Sequence, residues 1–222
     1  MQQPRAIIWD FDGTLVNTEP LWGEVEREIL APFGVYWDDD VLASHTGQAS
    51  EITARQMAEA VGRPELADQW YDELHDRLAV RLRQHLPYQP GAERIVDEAA
   101  AAGIRQCIVT ASNDVIMGAV RDTLPSAFEF LITADDVTRT KPDPEAYLMA
   151  FDRLGLAATD CLILEDSITG STAALAAGGV VFAVPDAQSL DAAHRMHVSD
   201  DALRTTDLDR LCATWRDLRG RA

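Results

Sequence analysis

Short, unbroken apolar runs alternate with amphipathic stretches over most of this chain. Residues 6–10 (AIIWD), 107–112 (CIVTAS), 130–135 (FLITAD), 161–166 (CLILED) and 180–185 (VVFAVP) are rich in Ile, Val and Leu and lack polar alternation. Such runs suit strands buried on both faces, as in a parallel sheet. Helical patterns separate most of them. Residues 91–103 (GAERIVDEAAAAG) end on Gly103, and residues 143–155 (DPEAYLMAFDRLG) open with an Asp cap and Pro144 and stop at Gly155. Residues 167–179 (SITGSTAALAAGG) are small enough to pack closely on a sheet. From residue 87 onward the alternation predicts a doubly wound, Rossmann-like α/β fold. Residues 197–220 are read as a short edge element followed by a helix.

The first run stands far from the second, at a distance too long for a simple crossover. Residues 19–85 carry helical patterns throughout, with few β-branched clusters, and Gly34, Gly62 and Pro64 fall at plausible helix boundaries. The expected organisation is therefore a core formed by 1–17 and 87–222, with an all-helical cap domain, 18–86, inserted into it. Hinges are expected near Val16–Glu19 and at 86–91 (LPYQPG).

Composition narrows the partners. The chain has 222 residues, 47% of them hydrophobic and 25% charged, the balance of an ordinary soluble protein. Its formal net charge of −18 argues against nucleic acid. A small anion is still accommodated where a local cation opposes the global field. Cys107, Cys161 and Cys212 show no CxxC spacing, and the first two lie inside apolar runs. An odd cysteine count with no signal peptide predicts a reducing, cytoplasmic setting, and no run is long enough to span a membrane. A monomer is the default expectation.

In open α/β sheets ligands bind beyond the carboxyl ends of the strands, so the polar residues there carry the chemistry. Asp10 ends the first run and Asp12 follows in the turn DFDGT; Thr110, then Ser112 and Asn113, end the second; Lys141 lies in TRTKPDPEAY; Glu165 and Asp166 end CLILED. Each alone has an ordinary reading: an Asx turn, a Ser-capped helix, a solvated lysine, an acidic helix start. A calcium loop fails at Asp10, because a strand precedes it and Leu21 stands where that loop needs glutamate. Together these strand ends would gather several carboxylates on one sheet edge, a costly grouping without a cation. Magnesium on Asp10, the backbone carbonyl of Asp12 and Asp166 resolves the repulsion. Lys141 and the N–H groups near Ser112 and Asn113 then offer a cradle for phosphate.

The ordered set of DFDGT, a strand-ending Thr, a loop Lys and ED resembles the haloacid dehalogenase-like hydrolase superfamily over nearly the whole chain, helical cap included. The resemblance implies Asp10 as nucleophile through an aspartyl-phosphate and Asp12 as general acid/base. It also implies Thr110 and Lys141 on the phosphoryl group, with Gly13, Thr14, Ser112 and Asn113 around it. Magnesium would be held by Asp10, Asp12 and Asp166, with Glu165 a further ligand.

Within the superfamily, Asp12 favours phosphate esters over carbon–halogen bonds. β-Phosphoglucomutase-like mutases carry a histidine in the first cap helix where Trp22 stands here, and an arginine after the cap glycine where Gly47 is followed by QASE. Residues 17–22 (NTEPLW) resemble phosphatases for 2-deoxyglucose 6-phosphate and related sugar or polyol phosphates, although Asn17 replaces an aspartate common among them. Gly47, Gln48 and Ser50 are candidates for substrate contact in the cap. His45, His75, His85, His194 and His197 show no ligand spacing. The expected activity is hydrolysis of a small phosphorylated metabolite. A sugar phosphate mutase, or a non-catalytic phospholigand-binding protein on the same fold, are the alternatives.

Overall fold

The computed structural model describes residues 2–45, 48–184, 196–198 and 203–221. Strand β1 (Ala6–Trp9) is followed by helices α1 (Glu19–Leu30), α2 (Asp39–His45), α3 (Ser50–Ala60), α4 (Ala67–Gln84) and α5 (Ala92–Ala101). Then come β2 (Arg105–Val109), α6 (Asp114–Val120), β3 (Phe128–Ile132), α7 (Glu145–Leu154), β4 (Cys161–Glu165), α8 (Ile168–Ala176), β5 (Val180–Ala183), β6 (Met196–Val198) and α9 (Leu208–Arg219). Two compact units result. One comprises Met1–Asn17, Pro87–Asp114 and Leu124–Ala222; the other comprises Thr18–Leu86 and Val115–Thr123.

The first unit is built on a six-stranded sheet in the order β3-β2-β1-β4-β5-β6, every neighbouring pair parallel. The predicted parallel, doubly wound sheet is therefore found, and the edge element near the C-terminus is β6. Helices cover both faces. On one, α7 and α8 bring Tyr147, Phe151, Ala173 and Ala174 against Ile8, Val109 and Ile163. On the other, α5 and α9 contact β2, β5 and each other. There Trp9 donates from Nε1 to Gln106 Oε1 at 3.0 Å, and Gln106 passes the bond to the Val96 carbonyl at 2.9 Å. That relay satisfies the polar atoms of a fully buried strand residue, which would otherwise destabilise the sheet.

The sheet's order turns at β1. The chain builds outward through β2 and β3, then returns to lay β4 on the opposite side. Trp9 pairs with Ile108 and with Leu164, so the carboxyl ends of β1, β2 and β4 finish level with one another. The chain segments leaving and rejoining this unit are themselves paired. Val16 and Tyr88 form an antiparallel bridge, Asn17 N–H donates to the Pro87 carbonyl at 2.7 Å, and Gln89 N–H to the Leu15 carbonyl at 2.9 Å.

The second unit has its own core of Val25, Ile29, Leu30, Trp37, Met57, Trp70 and Leu74. Outside it, Arg81 and Arg77 of α4 reach Glu28 of α1. One buried acid faces a histidine instead. Glu26 on α1 is 4% exposed, and its Oε2 lies 3.6 Å from His45 Nδ1, beyond hydrogen-bond reach. Burial pushes its carboxyl up to about 7, opposed in part by Arg27.

The folded state thus keeps a proton on Glu26 that the unfolded chain releases near 4.5. The stability this proton confers is full below the ordinary carboxylate range and is lost as pH rises through about 7. Glu26→Gln removes the loss. Urea unfolding should show the variant about 1–2 kcal/mol more stable than the parent at pH 8, and nearly equal to it at acid pH.

Candidate active site

Four predicted residues meet beyond the carboxyl ends of β1 and β4. Asp10 continues β1 and is fixed by its own N–H, which donates to the Leu164 carbonyl at 3.0 Å. Lys141 reaches in from the loop before α7. Its Nζ donates to Asp10 Oδ1 at 2.6 Å, Glu165 Oε1 at 2.6 Å and the Val109 carbonyl at 3.0 Å. An ammonium has three donors, and all three are used. Asp166 follows β4, with Thr14 donating to its Oδ1 at 3.2 Å.

Two glycines let these carboxylates approach. Gly13 has φ +81°, and a Cβ there would stand 1.9 Å from Asp166 Oδ2. A Cβ on Gly170 of α8 would stand 1.8 Å from Glu165 Oε1. Neither position accepts any side chain without moving an acid of the site.

The electrostatics follow from burial and crowding. Burial pushes Asp10 up to about 8, with the Glu165 and Asp12 charges adding to the rise and Lys141 opposing it. Asp166 is raised well above the usual range by burial, then by Asp10 and Glu165. Burial works against the charge of Lys141, but Asp10 and Glu165 outweigh it and raise its pKa. One cation therefore faces three buried carboxylates. Asp10, Glu165 and Asp166 place an oxygen each within 4.8 Å of one another, and among the described residues they form the one such acidic or imidazole cluster. A hard divalent ion fits this donor set, because it takes oxygen ligands and relieves the like-charge repulsion.

Asp12 follows Asp10 by two residues and faces the loop after β2. Ser112 Oγ donates to Asp12 Oδ2 at 2.6 Å, with a longer contact from Thr110 Oγ at 3.4 Å. Thr110 in turn accepts from Ser112 N–H at 2.9 Å. Asn113 occupies the same loop, directly before α6. The cap candidates belong to the other unit. Gln48 is exposed and its side chain donates to the Ser44 carbonyl at 2.9 Å. Gly47, like His194, lies outside the described residues. Ser50 Oγ and His75 Nε2 are 3.2 Å apart in that unit.

A model of the haloacid dehalogenase-like hydrolases matches residues 7–184, from β1 to the end of β5 and through every residue of this cluster. The chain belongs to that family. The first curated relative, the bifunctional riboflavin kinase/FMN phosphatase of Arabidopsis thaliana, is 27% identical over 213 residues, 95% of this chain but 55% of that protein. The phosphorylated carbohydrates phosphatase of Thermotoga maritima is 26% identical over 193 residues, covering 84% of this chain and 89% of the relative. Among solved structures, CbbY from Rhodobacter sphaeroides in complex with phosphate superposes with a TM-score of 0.73 at 24% identity, over 94% and 99% of the two chains, a likeness of fold.

This member of the family has supports around the acids that residue type alone does not reveal. Tyr147 on α7 donates to Glu165 Oε1 at 2.7 Å, and Ser167 gives Glu165 Oε2 both its N–H at 3.2 Å and its hydroxyl at 3.1 Å. Gln89 Nε2 donates to the Gly13 carbonyl at 2.8 Å. Ser167 follows the ED pair and caps α8, its hydroxyl accepting from the Gly170 N–H at 3.0 Å. Tyr147 and Gln89 depend on which helix face and which returning segment meet the sheet edge, and no local spacing encodes that.

Gly170→Ala places a methyl where the Glu165 carboxylate sits, so the anchor of Lys141 must shift. We expect turnover of a phosphate ester to fall at least about 100-fold, as displacement of a site by an ångström or so does. Far-UV circular dichroism should remain that of the parent, which separates the local effect from unfolding.

Proposed function

We propose that the chain is a magnesium-dependent phosphatase that hydrolyses a small sugar or polyol phosphate through an aspartyl-phosphate. Family membership makes it a hydrolase, and relatives named as phosphatases support the phosphoric monoester reading. The observation that carries the finer reading is the buried Lys141 ammonium shared by Asp10 and Glu165, with Asp166 beside them and Asp12 held on the neighbouring loop. Mere binding of an anion requires no such excess of acids.

In this reading an Asp10 carboxylate oxygen forms a bond to phosphorus as the ester P–O bond breaks. The electron pair of that bond leaves on the alcohol oxygen, which takes a proton from Asp12. Water then attacks the phosphorus, Asp12 accepts its proton, and the aspartyl P–O bond breaks to release phosphate and restore Asp10. Lys141 orients Asp10 and opposes charge on the transferring group, and the Thr110 hydroxyl, with Asn113 and the Gly13–Thr14 turn, is proposed to complete the cradle. Magnesium, held by Asp10, the Asp12 carbonyl and Asp166, supplies charge neutralisation on the phosphoryl oxygens when bound. Glu165 is read as the anchor of Lys141, because its oxygens already accept from Lys141, Tyr147 and Ser167.

The substrate class follows from the relatives' names, among them the phosphorylated carbohydrates phosphatase. Residues 18–86 are proposed to serve as the cap domain, with Gly47 and Gln48 contributing to substrate choice. Trp22, standing where the mutases have histidine, favours hydrolysis over intramolecular phosphoryl transfer. The protein is proposed to act in the cytoplasm as a monomer on small phosphorylated metabolites, with neither nucleic acid nor membrane as partner; no helix among the described residues is long and apolar enough to cross a membrane.

Release of phosphate from p-nitrophenyl phosphate should be abolished by dialysis against EDTA and restored by Mg²⁺. Asp166→Asn should raise the Mg²⁺ concentration for half-restoration about tenfold or more. Asp10→Asn should lower kcat at least ~10³-fold with the fold intact, since it removes the attacking oxygen's charge. Substantial residual turnover in that variant would remove the nucleophile assignment. With β-glucose 1-phosphate, free phosphate should accumulate; glucose 6-phosphate in excess of it would mark a mutase instead.

A further inference from the structure

Ser112 was expected at the phosphate, yet its hydroxyl is committed elsewhere. It donates to Asp12 Oδ2 at 2.6 Å, the short distance typical of a hydroxyl on a carboxylate. Its backbone is held on both sides. The Ser112 N–H donates to Thr110 Oγ at 2.9 Å, and its carbonyl accepts from Ala134 N–H at 3.0 Å. Thr110 is fixed in turn by its N–H on the Ile132 carbonyl at 2.9 Å. The Ser112 side chain is therefore aimed by the ends of β2 and β3, and it is buried, at 9% exposure. Asp12 lies in the turn after β1, where its backbone makes an isolated bridge to Val16, and its carboxyl accepts from the Ser112 hydroxyl of the neighbouring loop.

Resting on the phosphatase reading above, we infer that Ser112 is a positioning residue for proton transfer, acting through Asp12 rather than on the phosphoryl group. Both hydroxyl contacts, from Ser112 and from Thr110, converge on Oδ2. Oδ2 is thereby held from the loop after β2, and the carboxyl that gives its proton to the departing alcohol and takes one from water is aimed by that contact. The Ser112 bond sets the plane of the carboxyl and hence the direction of that transfer. Its value lies in alignment, because general acid catalysis requires the proton donor within hydrogen-bond reach of the leaving oxygen.

A phenolate made stable by a nitro group leaves without needing a proton, whereas phenolate itself leaves more readily with one. Phenyl phosphate and p-nitrophenyl phosphate are nearly the same in size and carry the same phosphoryl group. Ser112→Ala should therefore lower kcat/KM for phenyl phosphate ~10–100-fold, a part of the usual contribution of general acid catalysis, while changing that for p-nitrophenyl phosphate less than about threefold. Ser112→Thr, which keeps the hydroxyl, should restore most of the difference. In an Asp12→Ala background, Ser112→Ala should add no further selective loss, since the group it positions is gone.

An equal loss on both substrates would overturn the inference and return Ser112 to the phosphate cradle. No loss on either, or a selective loss that persists without Asp12, would overturn it as well. Failure of the parent enzyme to hydrolyse either ester would overturn the phosphatase reading and the inference with it, an outcome distinct from the others.

Discussion

The Lys141 ammonium holds the site together. Three adjacent strands, β2, β1 and β4, each end on an oxygen that accepts from this one buried group: the Val109 carbonyl, Asp10 and Glu165. A buried cation is costly unless every donor is satisfied, and here every donor is. Equally, Asp10 and Glu165 lie beside each other in a buried setting only because a positive charge stands between them. The parallel register makes the arrangement possible by ending the strands level. The ion pairs give that register a chemical use.

The remaining imbalance is where function enters. A single ammonium does not compensate Asp10, Glu165 and Asp166 together, and burial leaves Asp10 and Asp166 with raised pKa values. The protein holds the acids in place by denying space to anything else: glycine at 13 against Asp166, and glycine at 170 against Glu165. Around them run short donor sets from Thr14, Tyr147 and Ser167. The result is a preorganised negative cluster suited to an external cation, on an edge where the Thr110–Asn113 loop supplies hydroxyls.

Much of this was legible in the amino-acid sequence. Unbroken Ile, Val and Leu runs announce strands buried on both faces, and Gly103 and Gly155 mark helix ends where the structure shows φ of +70° and +63°. The acids and Lys141 are legible because charged residues at the ends of buried strands demand a reason. The order of strands across the sheet then brings them together. Tyr147, Gln89 and the Ser112–Asp12 bond were not legible in that way. Each depends on the rotation of a helix, the return path of a segment or a rotamer. Local pattern says that Tyr147 is on the buried face of a helix; only the packing of α7 on the sheet says that its hydroxyl meets Glu165. Glu26 was hidden for a similar reason, since a glutamate in an amphipathic helix reads as solvent-facing until its neighbours are known.

The hydrogen-bonded pairing of the segments around Val16 and Tyr88 has a consequence for how such a chain accommodates its large helical insertion. Asn17 and Pro87 are bonded neighbours, so the excursion between them begins and ends at one point. Sheet geometry is indifferent to what the excursion contains, and lengthening a closed loop costs only logarithmically in entropy. The core's strands and acids are thus closed on themselves at the junction, whatever the chain does between Asn17 and Pro87.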